Sequence, residues 1–360
     1  MKILHIHTTM RSGGIEAVIC GLSNEMSKTN DVTCCTIFEP SSNDVFYNKL
    51  NPSVRKMSLG KKDSGFSVKE ILKICRLIDE GRYDAVNIHG CFQYYWLSVL
   101  LFHRRTKFFY TIHTDASREN FSWDRYLVWM KRLFFKKRFM RAVTISPSSQ
   151  RSFKELYGCE SHLIYNGTEY PCIDDSDKLS SFRLSDRTKI FIHPGRITEA
   201  KNQLVLCKVF KRLIDEGHDL VLLIYGAPED QAIYDRISPY FSDRIRYMGE
   251  YHDIPSLMAQ SDAFVLPSIW EGLPVTLLEA LAVGCVPICS PVGGINDVVQ
   301  DGVNGILSLS AEEDDFYGAF KRYLNMNEAE LQSIQLRARV SFEKFSILKS
   351  VEEYLKAYSE

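Results

Sequence analysis

The stretch from Leu266 to Cys289, LPSIWEGLPVTLLEALAVGCVPIC, constrains this chain more than any other. An apolar run, Ala263 to Pro267, ends in a polar turn, Ser268 to Leu273, and Pro274 stands where a helix begins, a position that tolerates its missing N–H. Leu277, Leu278, Leu281 and Ala282 recur at helical spacing, Gly284 suits the helix stop, and Val286 to Cys289 reads as a strand. A strand–turn–helix–strand unit of this kind builds parallel sheets, in which ligands sit at the carboxyl ends of strands against helix N-termini.

Two carboxylates flank that mouth, Glu271 in the turn and Glu279 inside the helix. Open N–H groups around Gly272 to Thr276 favour a phosphate, whereas Glu271 repels one and suits hydroxyls or a developing positive charge. A sugar nucleotide offers phosphates, hydroxyls and a carbon that becomes oxocarbenium-like on transfer. Spacing alone is equally compatible with Glu271 as a solvated turn residue and Glu279 as a helix-surface charge.

The rest of the chain repeats the rhythm. Lys2 to His7 is an apolar strand, followed by Ser12-Gly13-Gly14 and a helical run from Ile15 to Met26, a nucleotide-binding type of opening that lacks the GxGxxG fingerprint. Gly13 and Gly14 either admit a ligand close to the backbone or merely make the turn. Val32 to Phe38, Asp84 to His89, Lys107 to His113 and Ala142 to Ser146 are expected strands. Ser67 to Glu80, Phe92 to Phe102 and Ser148 to Tyr157 are expected helices. His113 lies at a strand's carboxyl end, where a histidine is as readily a substrate contact as a structural residue. Trp123 to Met140 is helical, aromatic and basic, and with Arg104, Arg105 and Lys107 upstream it concentrates positive charge. It reads as an ordinary domain helix, with docking on an anionic membrane as the alternative.

Residues 168–187 are polar, acidic and aperiodic, which predicts a linker between a domain at 1–167 and a second at 188–345. Asp175-Ser176-Asp177 within it resembles a metal-binding DxD but reads better as solvated acid, so no metal is expected. The second half restarts with strands at Lys189 to His193, Leu220 to Tyr225 and Ile245 to Met248. Arg196 and Lys201 follow the first of these and precede a helix. A forked guanidinium and a mobile ammonium there can clamp a diphosphate, or be two solvated loop cations.

Length suits two domains of ordinary globular composition, 360 residues with 45% hydrophobic and 25% charged. A net charge of -1 argues against a nucleic-acid binder. The ten cysteines show no CxxC pair, which suits thiols in a reducing cytoplasm, and no 18-residue apolar run spans a membrane. The N-terminal apolar run is too short for a signal peptide. The expectation is a soluble cytoplasmic protein, with the inner membrane surface as an option.

Glu271-Gly272-Leu273-Pro274 through Glu279 resembles the E-x7-E signature of the retaining GT-B glycosyltransferases of the family called GT4, glycosyl transferases group 1. Gly13-Gly14-Ile15-Glu16, His113, Gly195-Arg196 with Lys201, Ser261-Asp262 and Pro291-Val292-Gly293-Gly294 fall in the family's order and cover nearly the whole chain. The resemblance implies an α/β GT-B architecture, two Rossmann-like domains facing across a cleft, with a last helix at 346–360 crossing back to the N-terminal domain.

By the same resemblance Glu279 holds the donor ribose, and Arg196 and Lys201 hold its diphosphate with backbone of Gly272, Leu273, Pro274 and Val275. Glu271 contacts the transferred sugar and steadies the cationic transition state. His113 contacts that sugar, and Gly13 and Gly14 let the first loop approach the donor. The family retains anomeric configuration and needs no cofactor or metal. One departure stands out: relatives often carry a glutamate after the late glycine pair, where this chain has Asn296-Asp297.

The implied partners are a nucleotide-sugar donor, UDP-sugar favoured over GDP-mannose, and a glycan or lipid-linked acceptor in bacterial surface polysaccharide synthesis. Membrane contact would run through Arg104–Lys107 and Lys131–Arg141, and acceptor contacts through loops 40–66 and 114–124. The rival readings are a nucleotide-sugar 2-epimerase of the same fold and a non-catalytic sugar-nucleotide-binding protein.

Overall fold

Among the described residues seven short runs, each two to eight residues long, build the first sheet: β1 (Lys2–His7), β2 (Asp31–Phe38), β3 (Arg55–Lys61), β4 (Ala85–His89), β5 (Lys107–Ile112), β6 (Arg141–Thr144) and β7 (His162–Leu163). All pair in parallel in the order β3-β2-β1-β4-β5-β6-β7. The computed structural model describes residues 1–42, 44–62, 67–90, 106–118 and 125–360. The helix expected at Phe92–Phe102, with Arg104, Arg105 and Trp123, lies outside the described residues.

The second sheet comprises β8 (Lys189–Pro194), β9 (Leu220–Tyr225), β10 (Ile245–Gly249), β11 (Ala263–Leu266), β12 (Val286–Cys289) and β13 (Ile306–Leu307). It too is parallel, in the order β10-β9-β8-β11-β12-β13. Every residue of β9 is buried, as expected of a strand covered on both faces. Phe191, Phe210, Phe320 and Tyr323 interlock edge-on at its core, with ring centroids 5.0 to 5.5 Å apart. Both sheets are thus doubly wound α/β, and strand order reverses between β1 and β4 in one and between β8 and β11 in the other. In such sheets ligands bind outside the carboxyl ends of the strands at that reversal.

The two sheets belong to separate units, Met1–Glu169 with Phe345–Glu360, and Tyr170–Lys344. The expected linker at 168–187 is not free chain. Asp174 N–H donates to Ser256 Oγ at 2.9 Å, Lys178 N–H to Gln260 Oε1 at 2.9 Å, and Leu179 is buried, so from Tyr170 onward this segment belongs to the second unit. Asp177 of the DxD run accepts the N–H groups of Leu179 and Ser180. Its polarity reflects backbone capping, which mimics linker composition.

The helix Ile347–Ser359 completes the first unit, burying Ile347, Val351, Tyr354, Ala357 and Tyr358 on one face. Asn87 Nδ2 donates to Tyr358 OH at 2.9 Å, and Thr111 and Tyr354 hydroxyls meet at 3.2 Å. Lys107 Nζ donates to the carbonyls of Tyr358 and Ser359, satisfying the helix's last acceptors.

The basic helix runs Arg125–Lys136 and stops short of Met140, because Arg138 adopts a left-handed φ of 54°. Its charge is not all available to a surface. Lys131 is 1% exposed, with Nζ 3.2 Å from Tyr110 OH and 4.4 Å from that ring's centroid. Arg141 donates to the Ala357 carbonyl and lies over Phe109. With Lys107 committed as above, three of the cations expected to contact a membrane are engaged within the first unit, Lys131 buried and Lys107 and Arg141 half-buried. What remains outside is an apolar ridge, Tyr126, Trp129, Leu133 and Phe139, beside the exposed Arg132, Lys136 and Lys137.

Candidate active site

In the second unit the Ser268–Leu273 turn leaves β11 at the strand-order reversal, and the helix Val275–Val283 starts immediately after it. Pro274 caps rather than begins this helix. The N–H groups that open a helix lack intrahelical acceptors, so Val275 and Thr276 carry the positive dipole end of this start, while Leu277 N–H donates back to the Pro274 carbonyl at 3.2 Å.

Glu271 is held there from two sides. Lys201 Nζ donates to its Oε1 at 2.6 Å, and Ser268 Oγ donates to the same oxygen at 2.7 Å. The two charged side chains are only 18% and 12% exposed, so this charge-assisted pair is largely shielded from water. Ile269 N–H donates to the Ala200 carbonyl at 2.8 Å, and Asn202 Nδ2 donates to the carbonyls of Pro267 and Ala311. The Lys201 loop and the Glu271 turn are therefore one stitched structure.

A second turn props this one from behind. Gly294 N–H donates to the Gly272 carbonyl at 2.6 Å. Gly293 sits at a φ of 51°, and a Cβ there would fall well inside contact with the Glu271 carbonyl oxygen. A Cβ on Gly294 would likewise strike the Gly272 oxygen. Only glycine fits at 293 on both counts, close approach and left-handed backbone. Ser290 Oγ adds a bond to the Ser268 carbonyl.

The Arg196 loop has its own floor. His193 Nδ1 lies 2.8 Å from the Val265 carbonyl, which fixes the proton on Nδ1 and leaves Nε2 to accept from Gln203 Nε2 at 3.2 Å. Gln203 Nε2 also donates to the Arg196 carbonyl at 2.9 Å. Burial pushes the His193 imidazole down to about 4, so it stays neutral. Gly226, at a φ of 137°, lets the Gly195 backbone approach closely. Arg196 itself donates from Nη1 to both oxygens of Glu229, at 2.9 and 3.0 Å, an exposed pair. The two cations expected to act together thus meet separate carboxylates. Glu279 is half-buried on the helix Val275–Val283.

In the first unit the carboxyl ends of β1, β4 and β5 bring four histidines together. His5 Nδ1 lies 2.9 Å from His89 Nε2, and His89 Nδ1 lies 3.1 Å from His113 Nε2. His7 Nδ1 donates to the His89 carbonyl at 2.6 Å, and its Nε2 lies 3.8 Å from Glu16 Oε1. Burial drives His5 down to about 4, His113 to about 3, and His89 well below the ordinary histidine range. Gly13 caps the helix Gly14–Met26, where a Cβ would crowd the Glu16 carboxylate, and Gly14 is exposed. His5, His7, His89, His193, Gln203 and Glu229 were not singled out by the sequence reading. The strand ends carrying His5, His7, His89 and His193 were the only available signal.

A sequence model described as Glycosyl transferases group 1 matches residues 175–339, and one described as Glycosyltransferase Family 4 matches residues 12–170. The Escherichia coli UDP-Gal:alpha-D-GlcNAc-diphosphoundecaprenol alpha-1,3-galactosyltransferase is 30% identical over 219 residues, 57% of this chain and 56% of that protein. The chain thus spans about half the length of the first curated relatives it matches. The putative glycosyltransferase EpsF of Bacillus subtilis is 26% identical across 87% of this chain and 84% of its own. Among solved structures, Anabaena HepE in complex with UDP-glucose superposes with a TM-score of 0.83 at 19% identity, covering 100% of this chain and 99% of that one. That likeness establishes the fold.

Proposed function

The chain belongs to the glycosyl transferases group 1 family, and from that premise we propose that it moves a sugar from a nucleoside diphosphate, UDP favoured, to a hydroxyl of a glycan or lipid-linked acceptor. The observation that carries this is Glu271, clasped by Lys201 and Ser268 at the mouth of β11 beside a helix start. A carboxylate clasped by an ammonium and a hydroxyl next to phosphate-seeking groups suits a ligand that is anionic at one end and turns cationic at the other. The UDP-glucose bound to HepE and the UDP-galactose named for the E. coli relative support a UDP-sugar.

In this reading Arg196, Lys201 and the amides of Gly272 to Val275 take the diphosphate, Glu279 the ribose, and Gly13 and Gly14 the approach of the first loop. Arg196 exchanges Glu229 for phosphate. Glu271 takes sugar hydroxyls and stabilises charge at C1, and His113 takes a further sugar hydroxyl. The C1–oxygen bond to the diphosphate breaks, a bond from C1 to the acceptor oxygen forms on the same face, and the acceptor's proton passes to the departing phosphate oxygen. Configuration is retained, and neither a protein base nor a metal is required.

A lipid-linked acceptor fits the exposed ridge of Tyr126, Trp129, Leu133 and Phe139 with its neighbouring cations, and the diphosphoundecaprenol in the E. coli relative's name. Surface polysaccharide synthesis is the corresponding role. A thermal-shift panel of sugar nucleotides tests the donor, with UDP-sugars expected to stabilise most. Incubation with the stabilising donor alone then separates classes. Slow hydrolysis supports transfer, and a new epimer rejects it. Turnover unchanged by Glu271→Ala and Arg196→Ala overturns the site.

A further inference from the structure

The first unit's histidines form a hydrogen-bonded row in which each proton constrains the next. A neutral imidazole carries one N–H and one lone pair. His89 therefore donates from one nitrogen and accepts at the other, and only two arrangements of the row His5–His89–His113 exist. In the first, His5 Nδ1–H donates to His89 Nε2, His89 Nδ1–H donates to His113 Nε2, and the outer proton rests on His113 Nδ1. In the second every bond reverses, and the outer proton rests on His5 Nε2. Both terminal nitrogens, His5 Nε2 and His113 Nδ1, are buried without a hydrogen-bond partner among the described residues.

The two arrangements are not equivalent. An orphaned N–H donor is rarer and costlier in proteins than an orphaned acceptor. His5 is fully buried, with no exposure, whereas His113 retains 8% exposure just beyond the end of β5. The first arrangement puts the unmet donor on His113, just beyond the end of β5, and leaves only a lone pair on the fully buried His5. His7 does not compete for His5 or His113, because its Nδ1 proton is spent on the His89 carbonyl.

We propose that His5 and His89 are positioning residues that fix His113 as its Nδ1–H tautomer, so that His113 offers a neutral hydrogen-bond donor to a hydroxyl oxygen of the transferred sugar. The sugar contact rests on the function proposed above; the tautomer rests on the row alone. A neutral donor suits a site where positive charge develops on the sugar ring, since an imidazolium would oppose that charge. Burial disfavours charge along the row, pushing His5, His89 and His113 well below the ordinary histidine range.

The test is ring nitrogen-15 NMR on the full chain at neutral pH, with the His113 signals assigned by their loss in His113→Asn. The expected pattern is a protonated Nδ1 and an unprotonated Nε2 at His113, and the same at His5. A protonated Nε2 at His113 overturns the proposal, as does a charged ring. In His89→Leu the expected result is a mixture of His113 tautomers, and an unchanged single tautomer also overturns it. The wild-type spectrum decides even where that variant fails to fold. Turnover of UDP-glucose by His113→Asn is read separately, with a fall of roughly five- to tenfold expected, the worth of one hydrogen bond. No fall would remove the sugar contact while leaving the tautomer result standing.

Discussion

Lys201 and Glu271 lie 70 residues apart in sequence and 2.6 Å apart in space, both largely withdrawn from water. A pair so shielded is asymmetric under mutation. Removing one partner strands the other charge, at a cost of about 3–5 kcal/mol, whereas removing both restores much of it. Lys201→Met should therefore destabilise the second unit more than Lys201→Met combined with Glu271→Leu, measured by urea unfolding. Both variants should lose turnover by about 100-fold or more, as when one preorganised charge-stabilising group is deleted.

Gly293→Ala tests the prop behind the turn. The added methyl meets the Glu271 carbonyl oxygen and the backbone is left-handed. A loss of about 1–3 kcal/mol is expected, with a fall in turnover. Gly217→Ala is the control, since it has a φ of 89° but nothing within 4 Å of the new methyl. It should lose about 1 kcal/mol and keep its turnover.

Acid should unfold this protein early. His5 and His193 are pushed from 6.5 to about 4 and His113 to about 3 by burial. Above pH 6.5 folded and unfolded chains are both neutral at these rings and stability is complete. Below it the unfolded chain binds protons that the folded chain refuses, so stability falls as pH drops, until the folded rings titrate near 4. Each such histidine contributes a slope of about 1.4 kcal/mol per pH unit in that window. Urea midpoints measured from about pH 7.5 to about pH 4.5 should show it, and His193→Gln should flatten the slope by about one proton.

Membrane docking is testable residue by residue. Trp129 is 58% exposed and Lys131 is 1% exposed. Trp129→Glu with Leu133→Glu should reduce flotation with anionic vesicles several-fold, while Lys131→Met should leave flotation unchanged. Equal recovery of the wild type with neutral and anionic vesicles would remove the surface role of Arg132, Lys136 and Lys137.

The legible part of the site was local. Glu271, Glu279 and the helix start are announced by a strand–turn–helix–strand pattern spanning Ala263 to Cys289, because turn chemistry and apolar spacing act over a few residues. Arg196 and Lys201 followed from the same logic after β8. The partners did not. Glu229 lies 33 residues beyond Arg196, and Tyr110 lies 21 residues before Lys131, distances at which only the folded sheet order brings side chains together. For the same reason Lys131 read as surface charge. The edge strand β3, RKMSLGK, hid because edges carry cations that guard against mispairing, which looks like loop. The segment 168–187 hid because acidic side chains capping backbone N–H groups have the composition of a linker.

The helix Ile347–Ser359 carries a consequence for biosynthesis. Its Tyr354 and Tyr358 supply the hydroxyls that meet Thr111 and Asn87 within the first unit's sheet. The ribosome delivers that helix only after all of Tyr170–Lys344 has been translated. The unit begun first is thus finished last, and a nascent chain stalled anywhere before Ile347 presents an incomplete, sticky apolar face to chaperones.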